Sequence, residues 1–484
     1  MGEWLVPALA VLYYVFILAI SVSILLENRN PPKTIAYLLV LILLPGIGII
    51  VFIFFGQDFR KRKIFSRKAL TDDKLIASWM DELVMSFERS ESMARTYLQD
   101  KVKIAKMLIR DDRAVMTLQN EVEILRNGEI FFPRLLEDIR EARHHIHFEF
   151  YIFEDDHTGN EVIDLLAKRS EEGVEVRFVY DYVGSQGLRS SSIQKLKEAG
   201  VVVYPFMPVI FPSFTSRANY RNHRKIVVID GKIGYVGGIN ISDRYRNDEY
   251  SKGVYWRDTH LRIHGEAVKS LQINFKLTWN FVTGSSIDTS EPYFPKHIEV
   301  DSYKLMQIAA SGPDSDWASL MHAYFMAITT ADDYVYIGTP YLIPNEQIIT
   351  ALTTAALSGL DVRILIPRES DSRLVQAASM SYVKRLLQAG VRVFLYTKGF
   401  FHAKTMVVDD MLGMIGTANM DYRSFDINFE ITALVYDPGF ANEMRKQFEE
   451  DLEDAIEVDL SRWDKRSIPL RLLESGARLL APIL

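Results

Sequence analysis

The strongest constraint in this sequence is a spaced motif that occurs twice, His-x-Lys-x4-Asp-x6-Gly-x2-Asn. The first copy consists of His223, Lys225, Asp230, Gly237 and Asn240, and the second of His402, Lys404, Asp409, Gly416 and Asn419. A single match could arise by chance, but identical spacing in both halves of a chain indicates an internal duplication. The sequence therefore predicts two related domains, with a site at the junction between them.

The segments before each motif alternate between strand-like and helix-like patterns. Strands are predicted at 146–152, 173–179 and 201–204 in the first half and at 334–342, 359–366 and 391–394 in the second. Strands that alternate with helices of this length predict parallel βαβ units and layered α/β domains. Asp230-Gly231 predicts a tight hairpin turn after the motif strand. The predicted organisation is two apolar helices, a helical linker and two α/β domains, at 1–58, 59–120, 121–290 and 291–484.

The motif supplies side chains suited to a phosphodiester. Residues two apart on a strand share a face, so each histidine lies beside its lysine. The lysines, together with Asn240 and Asn419, can donate hydrogen bonds to anionic oxygens. The two imidazoles can provide a nucleophile and a general acid, because both titrate near neutral pH.

The acidic residues divide into two predicted roles. Asp230 and Asp409 sit in turns, and parity along the strand places Asp230 on the face opposite Lys225, so both carboxylates are predicted to hold loops or backbone. A catalytic imidazole also needs a carboxylate on its second nitrogen. Asp258 and Glu430, downstream in each half, are the candidates for orienting the histidines. A lone His-x-Lys pair is more often a solvated charge or a core histidine, and it is the duplication that favours catalysis.

Composition excludes several classes of site. The chain has no cysteine, which rules out disulfides, thiolate nucleophiles and cysteine-ligated metals. There are 56 basic and 63 acidic residues, a net charge of −7, so no nucleic-acid partner is expected. His144, His145 and His147 lie close together in sequence, but only the last two share a strand face and no further ligands complete a set. The sequence predicts no metal and no cofactor.

The N-terminal region is strongly apolar. Only three charged residues occur between positions 4 and 55, and they separate two apolar runs at 4–26 and 35–55. Each run exceeds the ~20 residues needed to cross a ~30 Å hydrocarbon layer. Six basic residues follow at 60–68, and the positive-inside bias then places the rest of the chain in the cytoplasm. The sequence predicts a two-span anchor in the inner (cytoplasmic) membrane, with cytoplasmic α/β domains.

The duplicated motif resembles the signature of the phospholipase D superfamily. Over nearly its whole length, the chain more closely resembles the bacterial cardiolipin synthase family. The segments that carry this resemblance are the two apolar runs and residues 181–185, 221–225, 236–240, 311–314, 416–424 and 477–482. The resemblance implies two phospholipase-D-like α/β/α sandwich domains after a transmembrane hairpin, with phosphatidylglycerol as substrate and the lipid bilayer as partner.

The resemblance also implies a mechanism, a metal-independent phosphatidyl transfer in two steps. One phosphatidylglycerol donates its phosphatidyl group to another, which gives cardiolipin and glycerol. By analogy with the superfamily, His223 is the nucleophile that forms a phosphatidyl-histidine, and His402 is the general acid and base. The two motif lysines and the two motif asparagines would stabilise charge on the non-bridging oxygens.

Several alternatives stay open at this point. Phospholipid hydrolysis and phosphatidylserine synthesis differ from cardiolipin synthesis only in the hydroxyl that attacks second. A membrane-bound nuclease would need a basic groove, whereas the repeats are acidic, and two complete motifs disfavour a non-catalytic scaffold. The sequence also leaves open whether the protein forms a homo-oligomer. The apolar segment 205–214 either guides acyl chains or packs as a loop on the core.

Overall fold

The computed structural model describes residues 5–26, 31–43, 74–208, 220–251, 253–313, 315 and 317–481. They fall into two compact units, of which the first holds helices α1 (Leu5–Leu26) and α2 (Pro31–Leu43) and the second everything from residue 74 onward. Within these described ranges, no helix combines the length and apolar character that crossing a membrane requires. The two predicted spans are therefore not confirmed, and most of the second lies outside the described residues.

In the described part of the predicted linker, from residue 74 onward, there are three α-helices: α3 (Lys74–Arg89), α4 (Glu91–Leu98) and α5 (Val102–Asp112). The apolar side of α5 is inserted into the core of the second α/β domain, where Ile104, Ala105 and Leu108 are fully buried. Lys101, just before α5, is also buried and pairs with Asp409 of the second motif. This segment thus contributes both apolar packing and a charge to the second domain.

The first domain is built on a mixed seven-stranded sheet. Its strands are β1 (Asn120–Arg126), β2 (His145–Phe150), β3 (Glu175–Asp181), β4 (Val202–Phe206), β5 (Ile226–Ile229), β6 (Ile233–Gly237) and, after the separate short strand β7 (Tyr255–Arg257), β8 (Thr259–Gly265). Its helices are α6 (Asn127–Glu141), α7 (His157–Glu171), α8 (Ser190–Glu198) and α9 (Val268–Thr283). As predicted, β2, β3 and β4 are parallel, and β5 and β6 form the antiparallel hairpin around Asp230-Gly231.

The second domain has an eight-stranded sheet. The strands from this domain are β9 (Leu305–Ser311), β10 (Tyr334–Gly338), β11 (Leu342–Ile343), β12 (Asp361–Pro367), β13 (Arg392–Tyr396), β14 (Gly399–Phe401), β15 (Thr405–Val408), β16 (Leu412–Gly416), β17 (Met420–Asp421), β18 (Glu430–Tyr436) and β19 (Ala455–Glu457), with β11, β14 and β17 outside the main sheet. The helices are α10 (Ser319–Thr329), α11 (Glu346–Leu357), α12 (Arg373–Gln388), α13 (Tyr422–Asp426), α14 (Pro438–Glu453), α15 (Leu460–Trp463) and α16 (Ile468–Leu479).

The two sheets share one topology. The first has the order β4-β3-β2-β5-β6-β8-β1, and the second repeats it as β13-β12-β10-β15-β16-β18-β9, with β19 added at the β13 edge. Corresponding strands come from the same place in each half of the chain. The internal duplication predicted from the motif is therefore confirmed in the fold.

The sheets pack against each other through their inner faces. Ile226 and Val228 of the first sheet share one buried apolar cluster with Ile308, Ile415 and Ala433 of the second. Helices α9 and α14 cover the rest of the inner faces, while α6 to α8 cover the outer face of the first sheet and α10 to α12 that of the second. Each sheet thus lies between helices on one side and a shared core on the other, and the segments that lead into β5 and β15 meet at the domain junction.

Candidate active site

The two motif histidines lie just before β5 and β15, where backbone hydrogen bonds cross between the domains. The His223 N–H donates to the Phe429 carbonyl at 3.0 Å, and the His402 N–H donates to the Arg257 carbonyl at 2.7 Å. Strand β14 also runs parallel to β7 and pairs Phe401 with Arg257. Each histidine is therefore held by the backbone of the domain that does not contain it.

The carboxylates that orient the imidazoles are exchanged between the domains in the same way. Nδ1 of His223 lies 2.9 Å from Oε2 of Glu430, and Nδ1 of His402 lies 2.6 Å from Oδ2 of Asp258. The sequence suggested one carboxylate in each half, and the structure pairs each with the histidine of the other half. Since a carboxylate can only accept, Nδ1 carries the proton in both rings and Nε2 keeps its lone pair.

Burial sets the protonation of these rings. It lowers the pKa of His223 to about 4, against the opposing charge of Glu430. Burial, with the charge of Lys404, likewise lowers the pKa of His402 to about 4. Burial would raise the pKa of the Glu430 carboxyl, but the charge of His223 and its hydrogen bond hold that pKa below its ordinary value. The site therefore contains neutral imidazoles and ionised carboxylates at neutral pH.

The two motif lysines are buried in the same site. Nζ of Lys225 donates to the His223 carbonyl at 2.8 Å, and Nζ of Lys404 lies 3.0 Å from Nε2 of His402. Burial and the charge of Lys404 lower the pKa of Lys225 to about 7, and burial lowers that of Lys404 to about 8. Two buried ammonium groups favour an anionic ligand, because its negative charge offsets their desolvation and the repulsion that Lys404 exerts on Lys225.

The motif aspartates lie away from the imidazoles and bind backbone amides. The Asp230 carboxylate accepts from the N–H groups of Arg143, His144 and His145 at 2.7–3.0 Å. Asp409 accepts from the N–H groups that lead into β10 and pairs with Lys101. Both aspartates have left-handed backbone, with φ of 53° and 50°, which aspartate tolerates better than most residues. They fix the turn after the motif strand to the start of the neighbouring strand.

The two motif asparagines differ in their surroundings. Asn240 is committed to the protein: its Oδ1 accepts from the Ile152 N–H at 3.1 Å, and its Nδ2 donates to the Tyr245 hydroxyl at 2.7 Å. Asn419 is also buried, but its Oδ1 has no hydrogen-bond partner among the described residues. The unpaired atom of Asn419 is thus a hydrogen-bond acceptor, whereas both ends of the Asn240 amide have partners.

Comparisons with known proteins agree with this geometry. The family model described as "Cardiolipin synthase, PLD-like domain" matches residues 135–279 and 324–452, which contain one motif each. "Cardiolipin synthase 2" of Bacillus anthracis is 42% identical over 465 residues, covering 96% of this chain and 89% of that protein. The chain belongs to the cardiolipin synthase family. A "Cardiolipin synthase" of Geobacillus sp. (strain WCH70) is 41% identical over 482 residues, covering 99% of this chain and 94% of the relative.

Two further likenesses concern the fold and the N-terminus of this member of the cardiolipin synthase family. A crystal structure of phosphatidylserine synthase from Haemophilus influenzae Rd KW20 superposes with a TM-score of 0.60 at 16% identity, covering 79% of this chain and 100% of that one. This likeness shows the fold alone. A second family model, "Phospholipase_D-nuclease N-terminal", matches residues 14–57.

Sequence reasoning missed two residues that complete the exchanged pairs in this family member. The Thr417 hydroxyl donates to Oε2 of Glu430 at 2.5 Å, so that carboxylate is held from two sides. At the corresponding position of the first motif, Gly238 leaves room for Asp258: a Cβ there would lie 2.1 Å from Oδ1. The sequence contains a sign of this difference, since the residue after the motif glycine is Gly in the first copy and Thr in the second.

A cavity of about 350 Å³ is lined by residues of both domains. Trp256 and Phe400 line it, and their rings lie 5.4 and 5.7 Å from the His402 ring. Arg368 and Asp371 contribute opposite charges to its wall. The cavity therefore combines aromatic surface with polar groups, and two of its lining residues, Trp256 and Phe400, also neighbour His402, which does not itself line the cavity. On the other side of the site, the ring of Tyr151 lies 4.8 Å from the ring of His223.

Two remaining sequence features lie outside the site. His147 binds Gln272 and Arg177 through its two ring nitrogens, at 2.8 and 3.0 Å, and the described part of the chain contains no cluster of His, Asp and Glu able to hold a metal. In the segment considered for guiding acyl chains, Phe206 is buried against Phe281 and Phe429. Residues 209–219 of that region lie outside the described ranges.

Proposed function

We propose that this enzyme transfers a phosphatidyl group from one phosphatidylglycerol to another, giving cardiolipin and glycerol through a phosphatidyl-histidine. Family membership over nearly the whole chain supports this activity. The observation that carries the chemistry is the exchanged arrangement of His223–Glu430 and His402–Asp258 around the buried lysine pair. It supplies two imidazoles that each keep a lone pair on Nε2, and a cationic environment for one phosphodiester.

In the first step, Nε2 of His223 attacks phosphorus. The N–P bond forms as the bond from phosphorus to the glycerol oxygen breaks, and His402 gives its proton to that oxygen. Glu430 stabilises the positive charge that develops on His223. A bound phosphodiester brings negative charge next to His402 and offsets the nearby ammonium groups, so it raises the pKa of that imidazole toward the range in which it can carry a proton.

In the second step, His402 is neutral and accepts a proton from the terminal hydroxyl of a second phosphatidylglycerol. The hydroxyl oxygen attacks phosphorus, the N–P bond to His223 breaks, and cardiolipin leaves. His402 then holds the proton with which the next cycle begins. The ammonium groups of Lys225 and Lys404 stabilise the non-bridging oxygens in both steps, and the side-chain NH2 group of Asn419 donates a hydrogen bond to them, as the motif predicts.

The assignment of the two imidazoles rests on the resemblance to the phospholipase D superfamily. The departing glycerol and the incoming headgroup hydroxyl must each contact the group that handles the proton. A single imidazole can serve both steps, and by analogy with the phospholipase D superfamily that imidazole is His402. We therefore assign His402 as general acid and base and His223 as nucleophile.

Purified enzyme supplied with phosphatidylglycerol alone tests the activity. We expect cardiolipin and glycerol in equal amounts by mass spectrometry, and no turnover by either His223→Ala or His402→Ala. Phosphatidic acid as the main product would instead indicate a hydrolase. Product that forms only when serine and a nucleotide-activated lipid are added would indicate phosphatidylserine synthesis.

A substrate with a good leaving group tests the assignment of the histidines. Phosphatidyl-p-nitrophenol releases p-nitrophenolate without needing a proton, so His402→Ala should give a burst equal to the enzyme concentration and remain covalently labelled. His223→Ala should give no burst. The opposite pattern would reverse the two roles while leaving the overall reaction intact.

We further propose that the N-terminal apolar runs anchor the enzyme in the cell membrane, with the α/β domains on the cytoplasmic side. The match of residues 14–57 to the N-terminal family model and the basic residues at 60–68 support this proposal. Extraction of native membranes with alkaline carbonate should leave the full chain in the pellet. Release into the supernatant would contradict the anchor.

A further inference from the structure

The C-terminal helix α16 (Ile468–Leu479) has its apolar face turned outward. Ala477 lies in the core cluster of the second domain together with Ala378 and Val383 of α12, and Glu474 is the other buried residue of α16. Leu472 and Leu479 are instead 67% and 80% exposed. A typical surface helix buries its leucines, whereas in α16 these leucines are exposed and the buried residues are Glu474 and Ala477.

The exposed residues form one continuous surface. At about 100° per residue, positions 468, 472 and 479 fall within about 40° of one another around the helix axis. Ile468 is 70% exposed, and Leu473 and Leu480, the residue after the helix, are also exposed and lie about 80–100° further around the axis on one side. This surface, made of Ile468, Leu472, Leu473, Leu479 and Leu480, is called the outer face of α16 below.

Basic residues border the outer face. Arg471 and Arg478 lie along its other edge, and neither guanidinium has an ion-pair or hydrogen-bond partner among the described residues. Between Leu460 and Leu480 there are five basic and two acidic residues, in a chain whose net charge is −7. Glu474, one of the two acids, is buried and paired with Arg466, at 2.5 Å. The charge around the outer face is therefore locally positive and complements an anionic surface.

We propose that the outer face of α16 docks on the surface of an anionic phospholipid bilayer. Leucine and isoleucine on one face with arginine along its edge is the pattern of helices that lie in the interface plane. A helix of 12 residues is too short to cross the hydrocarbon layer, which fits a docking role. The proposal goes beyond the proposed function, since it adds a second lipid contact on the catalytic unit that holds the site at the surface carrying its substrate.

Single fluorescent labels test this placement directly, because the natural chain has no cysteine. Leu472→Cys and Leu479→Cys are labelled with NBD, and Leu357→Cys, at an equally exposed leucine (74%) ending α11, is the matched control. The full chain is reconstituted in vesicles of phosphatidylglycerol and phosphatidylcholine. We expect spin-labelled phosphatidylcholine to quench the two α16 labels at least roughly twofold more than the control label.

Two outcomes would overturn the proposal. Equal quenching at positions 472, 479 and 357 would show that the outer face does not reach lipid. A blue-shifted emission that spin-labelled lipid leaves unquenched, and that fades as the protein is diluted in lipid, would show contact with a second copy of the chain. Neither outcome depends on turnover, so the result stands even if the proposed cardiolipin synthesis fails.

A kinetic comparison gives a second readout. Leu472→Glu with Leu479→Glu should raise the KM for phosphatidylglycerol in vesicles several-fold more than the KM for monomeric short-chain phosphatidylglycerol, because only the vesicle substrate requires docking. Leu357→Glu should change neither constant. A double variant with an unchanged thermal unfolding temperature and equal effects on both substrates would contradict a role in docking.

Discussion

The exchanged carboxylates make a prediction that depends on tertiary structure alone. Asp258 belongs to the first domain, with His223, but its carboxylate holds His402. Asp258→Asn should therefore impair the general acid and base and spare the nucleophile. Glu430→Gln, in the second domain with His402, should impair the nucleophile, since its carboxylate holds His223.

The size of each defect follows from the contact that is lost. Both hydrogen bonds are short, buried and charge-assisted, and such bonds are worth about 1.5–3 kcal/mol, or about 10- to 150-fold in rate. An amide that turns its NH2 group toward Nδ1 also selects the wrong tautomer, which cost about 10⁴-fold in a protease triad. We expect steady-state cardiolipin synthesis to fall by about 10²- to 10⁴-fold in each variant.

Burst kinetics with phosphatidyl-p-nitrophenol separate the two defects. Asp258→Asn should keep the burst rate of the unmodified enzyme and lose only the turnover that follows. Glu430→Gln should slow the burst itself by at least about 10-fold. A slow burst in Asp258→Asn with a normal burst in Glu430→Gln would refute the exchanged pairing, because it would mean that each carboxylate serves the histidine of its own domain.

Three further predictions concern packing, charge and pH. Gly238→Ala should lower turnover about as much as Asp258→Asn, because the new Cβ lies 2.1 Å from Oδ1 of Asp258. Its unfolding temperature should stay within a few degrees of that of the unmodified enzyme. Normal activity would contradict the close contact. Asp409→Asn should lower the free energy of unfolding by about 2–4 kcal/mol in a denaturant titration, because it weakens the pairing of the buried Lys101 ammonium. Adding Lys101→Met should recover part of that loss. A further loss of stability in the double variant would contradict the pairing of these two residues. The value of kcat/KM should fall as pH rises through about 7 to 8, since Lys225, with its pKa lowered to about 7, loses the charge that attracts the phosphodiester. A pH profile that climbs to pH 9 would contradict that role, and Lys225→Arg should move the alkaline limb upward.

The local parts of this structure could be predicted from the sequence. The spacing from His223 to Asp230 fits a strand followed by a turn, and the hairpin forms there because Asp230 and Gly231 both tolerate a left-handed backbone. The duplicated topology could be predicted from the repeated motif, because each copy contains its own turn and strand residues. These features depend on residues a few positions apart.

The features that sequence reasoning missed depend on how distant segments dock. Nothing near Asp258 in the chain indicates that it faces a histidine 144 positions away, because the contact arises when β7 pairs with β14. The pairing of Lys101 with Asp409 likewise joins residues 308 positions apart. Asn240 looked available for substrate, but the fold brings Tyr245 and the Ile152 amide to its side chain.

The shared backbone between β7 and β14 has a consequence for how such a chain can evolve. Neither half contains a complete catalytic unit, since the carboxylate that orients each histidine belongs to the other half. A substitution near the histidine of one half would require a compensating substitution near the carboxylate of the other half. The two halves are therefore expected to co-evolve. An ancestor with a single copy would have needed a twin molecule to work, and fusion into one polypeptide would have made that partnership permanent.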